Sequence, residues 1–322
     1  MTIINLVNSY DDKPEVIAVC QQEATKNKET NQTLGRDLLS QLDGYDYLEE
    51  HKIVGITKVS KGTNFTNITV LVTKDFYQEV EKGSYSKGHE RFDLLKATKG
   101  VVWVKIEFPS QEDNNSRDNL ILGCAHLDAS STTKRTKGLK KAKEVLSALA
   151  DEPSIAFGGD LNYRTDQEKL ALNNDTDEIT VDNFINNYLN YGKNGFLYLF
   201  DASSGNQELE EEGFQCAGFH DSAVYPPTYK MAYKNEEDRK ACADYSELAL
   251  DGLASDERYE AARACYFSSQ DPSSLVGFKN GELNIGYLDR ICTLGDSIEK
   301  RDQGSLEIFE SDHRAIWSFI EF

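Results

Sequence analysis

The stretch "AFGGDLNYR", residues 156–164, sets an acid, an amide and a guanidinium on alternate positions after an apolar run and two glycines. Alternate side chains of a strand point to the same face, so Asp160, Asn162 and Arg164 share one surface where the chain stays extended. Three such groups side by side are suited to a site that binds a phosphate group. Because Asp-rich turns after buried strands are common, this fragment indicates a site only if other segments bring matching groups to it.

Four other apolar segments carry polar side chains of the same kind at or near one end. They are "VCQQEA" with Glu23, "GCAHLDA" with His126, "GYLDRI" with Asp289 and Arg290, and "ESDHRAI" with Asp312 and His313. A single acid or histidine at the edge of a sheet is more often a satisfied structural group than a functional one. Their joint occurrence on five strand-like segments favours one shared site.

This set of groups fits the hydrolysis of a phosphoester. A carboxylate such as Glu23, with an amide nearby, holds Mg²⁺, which keeps waters and a substrate phosphate as its other ligands. Asp160 and Asn162 would align a water molecule and stabilise the negative charge that develops on the phosphoryl group during the reaction. A histidine oriented by a carboxylate handles a proton, and Asp289 with His313 is the expected pair.

The motifs "GGDLNYR", "YPPTYK", "GYLDRI" and "SDHRAI", in this order, resemble those of the inositol polyphosphate 5-phosphatases, members of the exonuclease, endonuclease and phosphatase superfold. The resemblance covers nearly the whole chain. Its most specific part is "FQCAGFHDSAVYPPTYK", residues 214–230, because the nucleases of the superfold lack the Thr-Tyr-Lys signature. It implies a Mg²⁺-dependent phosphatase that removes the 5-phosphate from phosphoinositides, such as phosphatidylinositol 4,5-bisphosphate, or from soluble inositol polyphosphates.

The resemblance also implies roles for the matched residues. The metal side has Glu23 as the Mg²⁺ ligand, and "IINLVN" stands where the family has its first strand, so Asn5 is favoured over Asn8 as the second metal-side residue. The implied catalytic residues are Glu23, His126 beside the scissile phosphate, Asp160, Asn162, Asp289, Asp312 near the metal and water, and His313. The implied substrate-binding residues are Lys99, Arg164, Tyr229, Lys230 and Arg290, of which Tyr229 and Lys230 read the neighbouring phosphate.

Two alternative functions stay open. One is another metal-dependent hydrolase of the superfold, a nuclease or a sphingomyelinase, and the other is a catalytically silent phosphoinositide-binding module. A formal charge of -20 disfavours nucleic acid as a partner, because backbone binding needs a dominant basic surface. The "PPTYK" motif disfavours both other hydrolases, and the presence of every catalytic side chain disfavours the silent module.

The spacing of the segments predicts a two-sheet α/β sandwich of largely antiparallel strands flanked by helices. Strands are expected at 15–23, 53–60, 65–73, 100–108, 119–128, 154–164, 285–295 and 313–322, and helices at 29–42, 138–152 and 180–192. The chain of 322 residues is expected to be a single catalytic domain, 1–322, with a helical insertion at about 231–281.

The cysteines and the termini bear on the compartment. The six cysteines form no CxxC pair, and Cys20, Cys124 and Cys292 fall inside apolar strand-like runs, which predicts buried, reduced thiols. No signal peptide or long apolar span is visible, so the expected location is cytoplasmic, with a microbial protein delivered into a host cell as the alternative.

The basic segment "KRTKGLKKAK", residues 134–143, is interpreted equally as a solvated helix or as a peripheral contact with an anionic membrane. The sequence carries no signal for an oligomeric state.

Overall fold

The structure is a computed structural model. It describes residues 3–22, 36–54, 65–82, 84–92, 99–109, 117–163, 207–216, 228, 278–279, 282–283, 288–306, 313 and 315–322. The predicted helix at 180–192 and nearly all of the predicted insertion at 231–281 lie outside these residues.

Two β-sheets form the frame of the described part. The first sheet contains β1 (Val16–Gln21), β2 (Tyr45–Val54) and β3 (Phe65–Thr73), in the order β1-β3-β2 and antiparallel throughout. The second contains β4 (Ser84–Arg91), β5 (Gly100–Pro109), β6 (Arg117–His126), β7 (Ser154–Asp160), β8 (Gln215–Cys216) and β11 (Asp289–Leu294). Its order is β4-β5-β6-β7-β11-β8, and only the β6–β7 pair is parallel.

Two short hairpins and five helices complete the described elements. The hairpins pair β9 (Phe278–Lys279) with β10 (Glu282–Leu283), and β12 (Glu299–Leu306) with β13 (Ala315–Glu321). The helices are α1 (Ile3–Asn8), α2 (36–41), α3 (Lys74–Lys82), α4 (Thr132–Ser147) and α5 (Gln207–Glu211). Among the described residues, no helix has the length and apolar character needed to cross a membrane.

The alternation of side chains along β5 shows how the layers form. Val102 and Val104 join the core between the two sheets, where β3 contributes Val70 and β6 contributes Leu122. Val101, on the opposite face of the strand, joins the core under α4. Because the six-stranded sheet buries apolar side chains on both faces, the predicted two-sheet α/β sandwich is confirmed.

Several element boundaries differ from the sequence predictions. The strand expected at 53–60 is β2, which begins at Tyr45 and ends at Val54. The helix expected at 138–152 begins six residues earlier, at Thr132. The Ser131 hydroxyl caps it there by accepting a hydrogen bond from the Lys134 backbone N–H at 3.3 Å. The strands β4 and β12 were missed, since "SYSKGHER" and "EKRDQGSL" are too polar to show the apolar alternation of a strand.

The segment "IINLVN" is a helix in the structure, which corrects the expectation of a first strand. Ile3, Ile4 and Val7 have the spacing of one helix face and pack into a small core with Ile17 and Leu38. The helical periodicity of these three side chains outweighs the strand propensity of the isoleucines.

The prediction of reduced thiols is wrong for all four described cysteines. Cys20 on β1 forms a disulfide with Cys124 on β6, and Cys216 on β8 forms one with Cys292 on β11. Sequence separations of 104 and 76 residues give no local pattern by which the pairing was predictable. The inference of a reducing compartment, which rested on free thiols, loses that support.

Candidate active site

Four strand ends meet at one edge of the six-stranded sheet. Gly100 at the start of β5 pairs with His126 at the end of β6, and His126 pairs with Asp160 at the end of β7. Asp160 in turn pairs with Asp289, the first residue of β11. Because β6 and β7 run parallel while their outer neighbours run antiparallel to them, two strands end where two begin, and polar side chains from all four gather there.

The edge contains two acid–histidine pairs. The Nδ1 of His313 lies 2.8 Å from Oδ2 of Asp289, and Nε2 of His126 lies 3.3 Å from Oδ2 of Asp160. The Lys99 ammonium, one residue before β5, contacts Nε2 of the same His126. The edge therefore gathers two carboxylates, two imidazoles and one ammonium, and His126, Asp160 and Asp289 among them are buried.

The two carboxylates differ in their electrostatic surroundings. Burial alone would raise the pKa of Asp160, but the hydrogen bond and charge of His126, with the charges of His313 and Lys99, outweigh it and lower the pKa. Burial raises the pKa of Asp289, and the neighbouring Asp160 charge adds to this rise while His313 opposes it. Asp160 is thus the carboxylate that stays ionised most readily.

The turn after β7 is fixed by four hydrogen bonds. The Asn162 N–H donates to Oδ1 of Asp160 at 3.0 Å, and Nδ2 of Asn162 donates to the Leu127 carbonyl at 3.1 Å. The Leu127 N–H donates to the Asp160 carbonyl at 3.0 Å, and the Leu161 N–H donates to the Leu288 carbonyl at 2.8 Å. Asn162 has a φ of 56°, in the left-handed region that asparagine tolerates better than most residues. The strand therefore ends at Asp160 instead of continuing as expected, and residues 161–163 form a turn that re-aims the Asn162 amide.

Thr228 attaches a separate segment to this edge. Its side chain is fully buried, and its Oγ1 accepts a hydrogen bond from the Asp289 N–H at 3.2 Å. Thr228 is the threonine of "PPTYK", so the residue before Tyr229 is fixed beside Asp289. Thr228 was not among the site residues predicted from sequence, because only Tyr229 and Lys230 of the Thr-Tyr-Lys signature were given roles.

The structure brings together six of the residues that the sequence singled out: Lys99, His126, Asp160, Asn162, Asp289 and His313. Arg290 is fully buried, and its guanidinium lies over the ring of Tyr163, 5.2 Å from the centroid. Asn5 is exposed on α1. Glu23, Arg164, Tyr229, Lys230 and Asp312 lie outside the described residues, and their roles stay predictions.

The side chains near the strand ends indicate which groups could bind a metal ion. Within the described ranges, no three His, Cys, Asp or Glu side chains are grouped so that they hold a metal ion. Glu23 directly follows Gln22. The Nε2 of Gln22 lies 3.2 Å from Sγ of Cys124. It also packs against Gly159, where it would lie 2.8 Å from a Cβ placed on that glycine. Gln22, the last described residue before Glu23, therefore lies beside the strands that end at His126 and Asp160, and a carboxylate is an oxygen ligand of the kind that Mg²⁺ takes.

The basic segment 134–143 forms part of α4, and several of its cations have acidic partners. Lys140 and Lys143 lie 3.5 and 3.2 Å from Glu212, and Lys141 lies 3.3 Å from Glu144. Lys134 and Lys137 are exposed. Partial neutralisation reduces the attraction of this surface for an anionic membrane.

One protein family matches the sequence over more than half of the chain. The match is to endonuclease/exonuclease/phosphatase family 2 and covers residues 2–245. No curated protein is similar enough to match this sequence.

Three solved structures are similar to this chain at low identity. The structure of D. rerio TDP2 complexed with single strand DNA product has 13% identity and a TM-score of 0.46, covering 96% of this chain and 86% of that chain. An endonuclease/exonuclease/phosphatase from Bacteroides vulgatus has 12% identity and a TM-score of 0.47, covering 99% and 88%. A mannosyl-6-phosphatase of Bacteroides thetaiotaomicron has 12% identity and a TM-score of 0.42, covering 99% and 89%. Likenesses at this level identify neither the reaction nor the substrate of this chain.

Proposed function

The chain belongs to endonuclease/exonuclease/phosphatase family 2, a family of hydrolases, and from this membership we propose that it removes the 5-phosphate from phosphoinositides or soluble inositol polyphosphates. The observation that carries the proposal is the edge where Asp160 is paired with His126, which also contacts Lys99, and adjoins Asp289, which is paired with His313. Anionic and cationic groups side by side suit the attack of water on a phosphate ester.

In the proposed reaction, Asp160 orients the attacking water and accepts its proton. Its ionised state at neutral pH follows from the surrounding cations, which lower its pKa. The Asn162 amide nitrogen, held by the Leu127 carbonyl, is the proposed donor to the charge that grows on phosphorus. Holding both groups in one rigid turn spares the reorganisation that a flexible pair would need.

In this proposal, the other charged groups at the edge bind the substrate phosphate and stabilise its negative charge. The Lys99 ammonium and the His126 imidazole stabilise the phosphate oxygens, while Asp289 fixes the tautomer and orientation of His313. His313 then stabilises the transition state or transfers a proton to the leaving group.

The proposed metal is Mg²⁺, with the Glu23 carboxylate and the Asn5 amide as its protein ligands. When bound, such an ion polarises the phosphate and offsets its charge. The proposal includes Asn5 only because "IINLVN" resembles the family motif. Glu23 is also supported by the position of its neighbour Gln22 in the structure.

The substrate class rests on the segment that Thr228 anchors. Tyr229 and Lys230 follow Thr228 directly, so the chain passes from a residue bonded to Asp289 into the two proposed readers of a neighbouring phosphate. The proposed partners are the phosphoinositide or inositol phosphate itself and an anionic membrane surface met peripherally through α4. Nucleic acid is not among them, because the formal net charge is -20. The cytoplasm, or a host cell that receives a microbial protein, stays the proposed location.

The test compares phosphate release from vesicles of phosphatidylinositol 4,5-bisphosphate and from the soluble headgroup, each with Mg²⁺ and with excess EDTA. Single-stranded DNA and sphingomyelin are assayed beside them for cleavage. The proposal expects release from at least one inositol substrate that EDTA abolishes. Cleavage of DNA or sphingomyelin alone would replace it with another hydrolase of the superfold, and binding of vesicles without turnover would indicate a silent module.

A further inference from the structure

Behind the candidate site, Tyr163 is surrounded by charged side chains that the proposed reaction does not use. The guanidinium carbons of Arg135 and Arg290 lie 5.4 and 5.2 Å from the centroid of its ring. Its hydroxyl donates to Oε2 of Glu208 at 3.1 Å, and the Thr136 hydroxyl donates to the same carboxylate at 3.1 Å. We call these five residues the tyrosine cluster.

The cluster is unusual because it is charged and yet buried. Arg290 is fully buried, Tyr163 is 2% exposed and Arg135 is 8% exposed. Burying guanidinium groups is costly unless they meet partners. Here the Tyr163 ring lies against both groups, and Arg135 also donates to the Asp128 carbonyl and the Thr132 hydroxyl. Burial and the Glu208 charge raise the pKa of Tyr163, so the phenol stays protonated and keeps donating to Glu208.

Two members of the cluster directly follow residues of the candidate site, and a third contacts the segment after β6. Tyr163 directly follows Asn162, and Arg290 directly follows Asp289. Arg135 donates through its Nη1 to the Asp128 carbonyl at 3.2 Å, two residues after His126. The cluster therefore joins the ends of β6, β7 and β11 from behind.

We propose that Tyr163 is a positioning residue, whose ring, held over Arg135 and Arg290, fixes the Asp160–Asn162 turn relative to Asp289. The inference rests on the proposed function for its kinetic readout only. Asn162 adopts a left-handed conformation, which the backbone leaves readily once its neighbours loosen. The aromatic ring performs the positioning, and the hydroxyl fixes the ring to α5 through Glu208.

Three variants separate positioning from ordinary packing. Tyr163→Leu removes the ring, Tyr163→Phe keeps the ring and removes only the bond to Glu208, and Phe214→Leu is the matched control. Phe214 is buried in the same core and stacks on Phe157, but it has no part in the tyrosine cluster. Truncating either aromatic residue removes a similar apolar volume, so both leucine variants should lose stability.

The first readout is steady-state kinetics on an inositol phosphate substrate that the wild type hydrolyses. Tyr163→Leu should lower kcat about tenfold or more with KM within about twofold, because small displacements of reacting groups cost rate more than binding. Tyr163→Phe should restore kcat to within about threefold of the wild type, and Phe214→Leu should retain it. Equal losses of kcat in both leucine variants would overturn the proposal and leave Tyr163 as a packing residue.

The second readout does not depend on activity, so it still decides the matter if no inositol phosphate is hydrolysed. Amide hydrogen exchange is measured at Leu127, Leu161 and Asn162, whose N–H groups make the hydrogen bonds of the turn. Exchange at these three amides should be at least about tenfold faster in Tyr163→Leu than in Phe214→Leu, at matched global stability. Equal exchange in the two variants would contradict the positioning role whatever the substrate proves to be.

Discussion

At the scale of single residues, the account depends on the different tasks given to two neighbouring aspartates. Asp160 and Asp289 are cross-strand partners, yet His126 and Lys99 lower the pKa of the first while burial raises the pKa of the second. Both carboxylates are buried. The one kept ionised beside cations suits the orientation of water, and the one bonded to His313 suits the orientation of an imidazole.

The variant Asp160→Asn should keep the fold and lose more than about a hundredfold in kcat. The amide has nearly the same shape as the carboxylate but neither carries its charge nor accepts the proton of the water. The measurement is kcat on the preferred substrate, with circular dichroism to check folding. Asp151→Asn, at an exposed position in the turn before β7, is the control that should change nothing. Turnover within a few-fold of the wild type would remove Asp160 from the mechanism.

The variants His313→Ala and Asp289→Ala should be strongly non-additive. A carboxylate that only orients a histidine through a 2.8 Å bond has nothing left to orient once the ring is gone. The kcat of the double variant should therefore resemble that of the worse single variant in a double-mutant cycle. Losses that multiply would mean that the two residues act independently.

At the scale of elements, both tryptophans of the described strands face a glycine on the adjacent strand. Trp103 on β5 pairs with Gly88 on β4, and Trp317 on β13 pairs with Gly304 on β12. A Cβ on Gly304 would lie 2.8 Å from atoms of the Trp317 ring, so the ring covers the glycine directly. The hairpin that holds this pair begins its second strand two residues after His313, and it therefore supports one side of the site.

The variant Gly304→Ala should destabilise the protein by about 1–3 kcal/mol, because the added methyl group overpacks against the indole. The same substitution in a Trp317→Leu background should cost less, since the ring that it meets is gone. The free energy of unfolding from urea titrations of the four proteins measures this coupling. Purely additive losses would show that the ring and the glycine do not depend on each other.

The elements also show which parts of the fold were predictable from sequence. The strand at 65–73 was predicted to the residue, because "FTNITVLVT" is rich in β-branched residues and bounded by polar segments. The site residues His126, Asp160 and Asp289 were predictable because each ends or begins an apolar run.

The tyrosine cluster was not predictable from sequence. Arg135 and Glu208 meet Tyr163 only through tertiary packing, and in the sequence they are typical of solvated charged residues. The resemblance implied that Arg290 binds the substrate, whereas in the structure Arg290 is fully buried against the Tyr163 ring.

At the scale of the whole molecule, the two disulfides have different structural roles. Cys20–Cys124 joins β1 of the first sheet to β6 of the second, so it fixes the two layers of the sandwich to each other. Cys216–Cys292 joins neighbouring strands within one sheet, and these are already paired at those residues. The first disulfide is also two residues from His126, so it holds the strand end that carries the imidazole.

The double variant Cys20→Ala, Cys124→Ala should lower the free energy of unfolding by about 2–5 kcal/mol, as expected for removing a native crosslink that closes a long loop. Denaturant titration measures the loss, and a matched Cys216→Ala, Cys292→Ala variant isolates the effect of joining the two sheets. Mass spectrometry of the unreduced wild type should find the four cysteines linked in these pairs. Unchanged stability in the first variant, or four free thiols in the wild type, would contradict this part of the account.

We propose that the strand-end site hydrolyses one particular phosphomonoester bond, that of the 5-phosphate. The most direct test follows the ³¹P NMR spectrum of the soluble headgroup of phosphatidylinositol 4,5-bisphosphate during turnover by the wild type with Mg²⁺. The account predicts that only the 5-phosphate resonance disappears, that inorganic phosphate appears in equal amount, and that the 4-phosphate persists. Loss of the 4-phosphate instead, or no release from either this headgroup or the intact lipid, would contradict it.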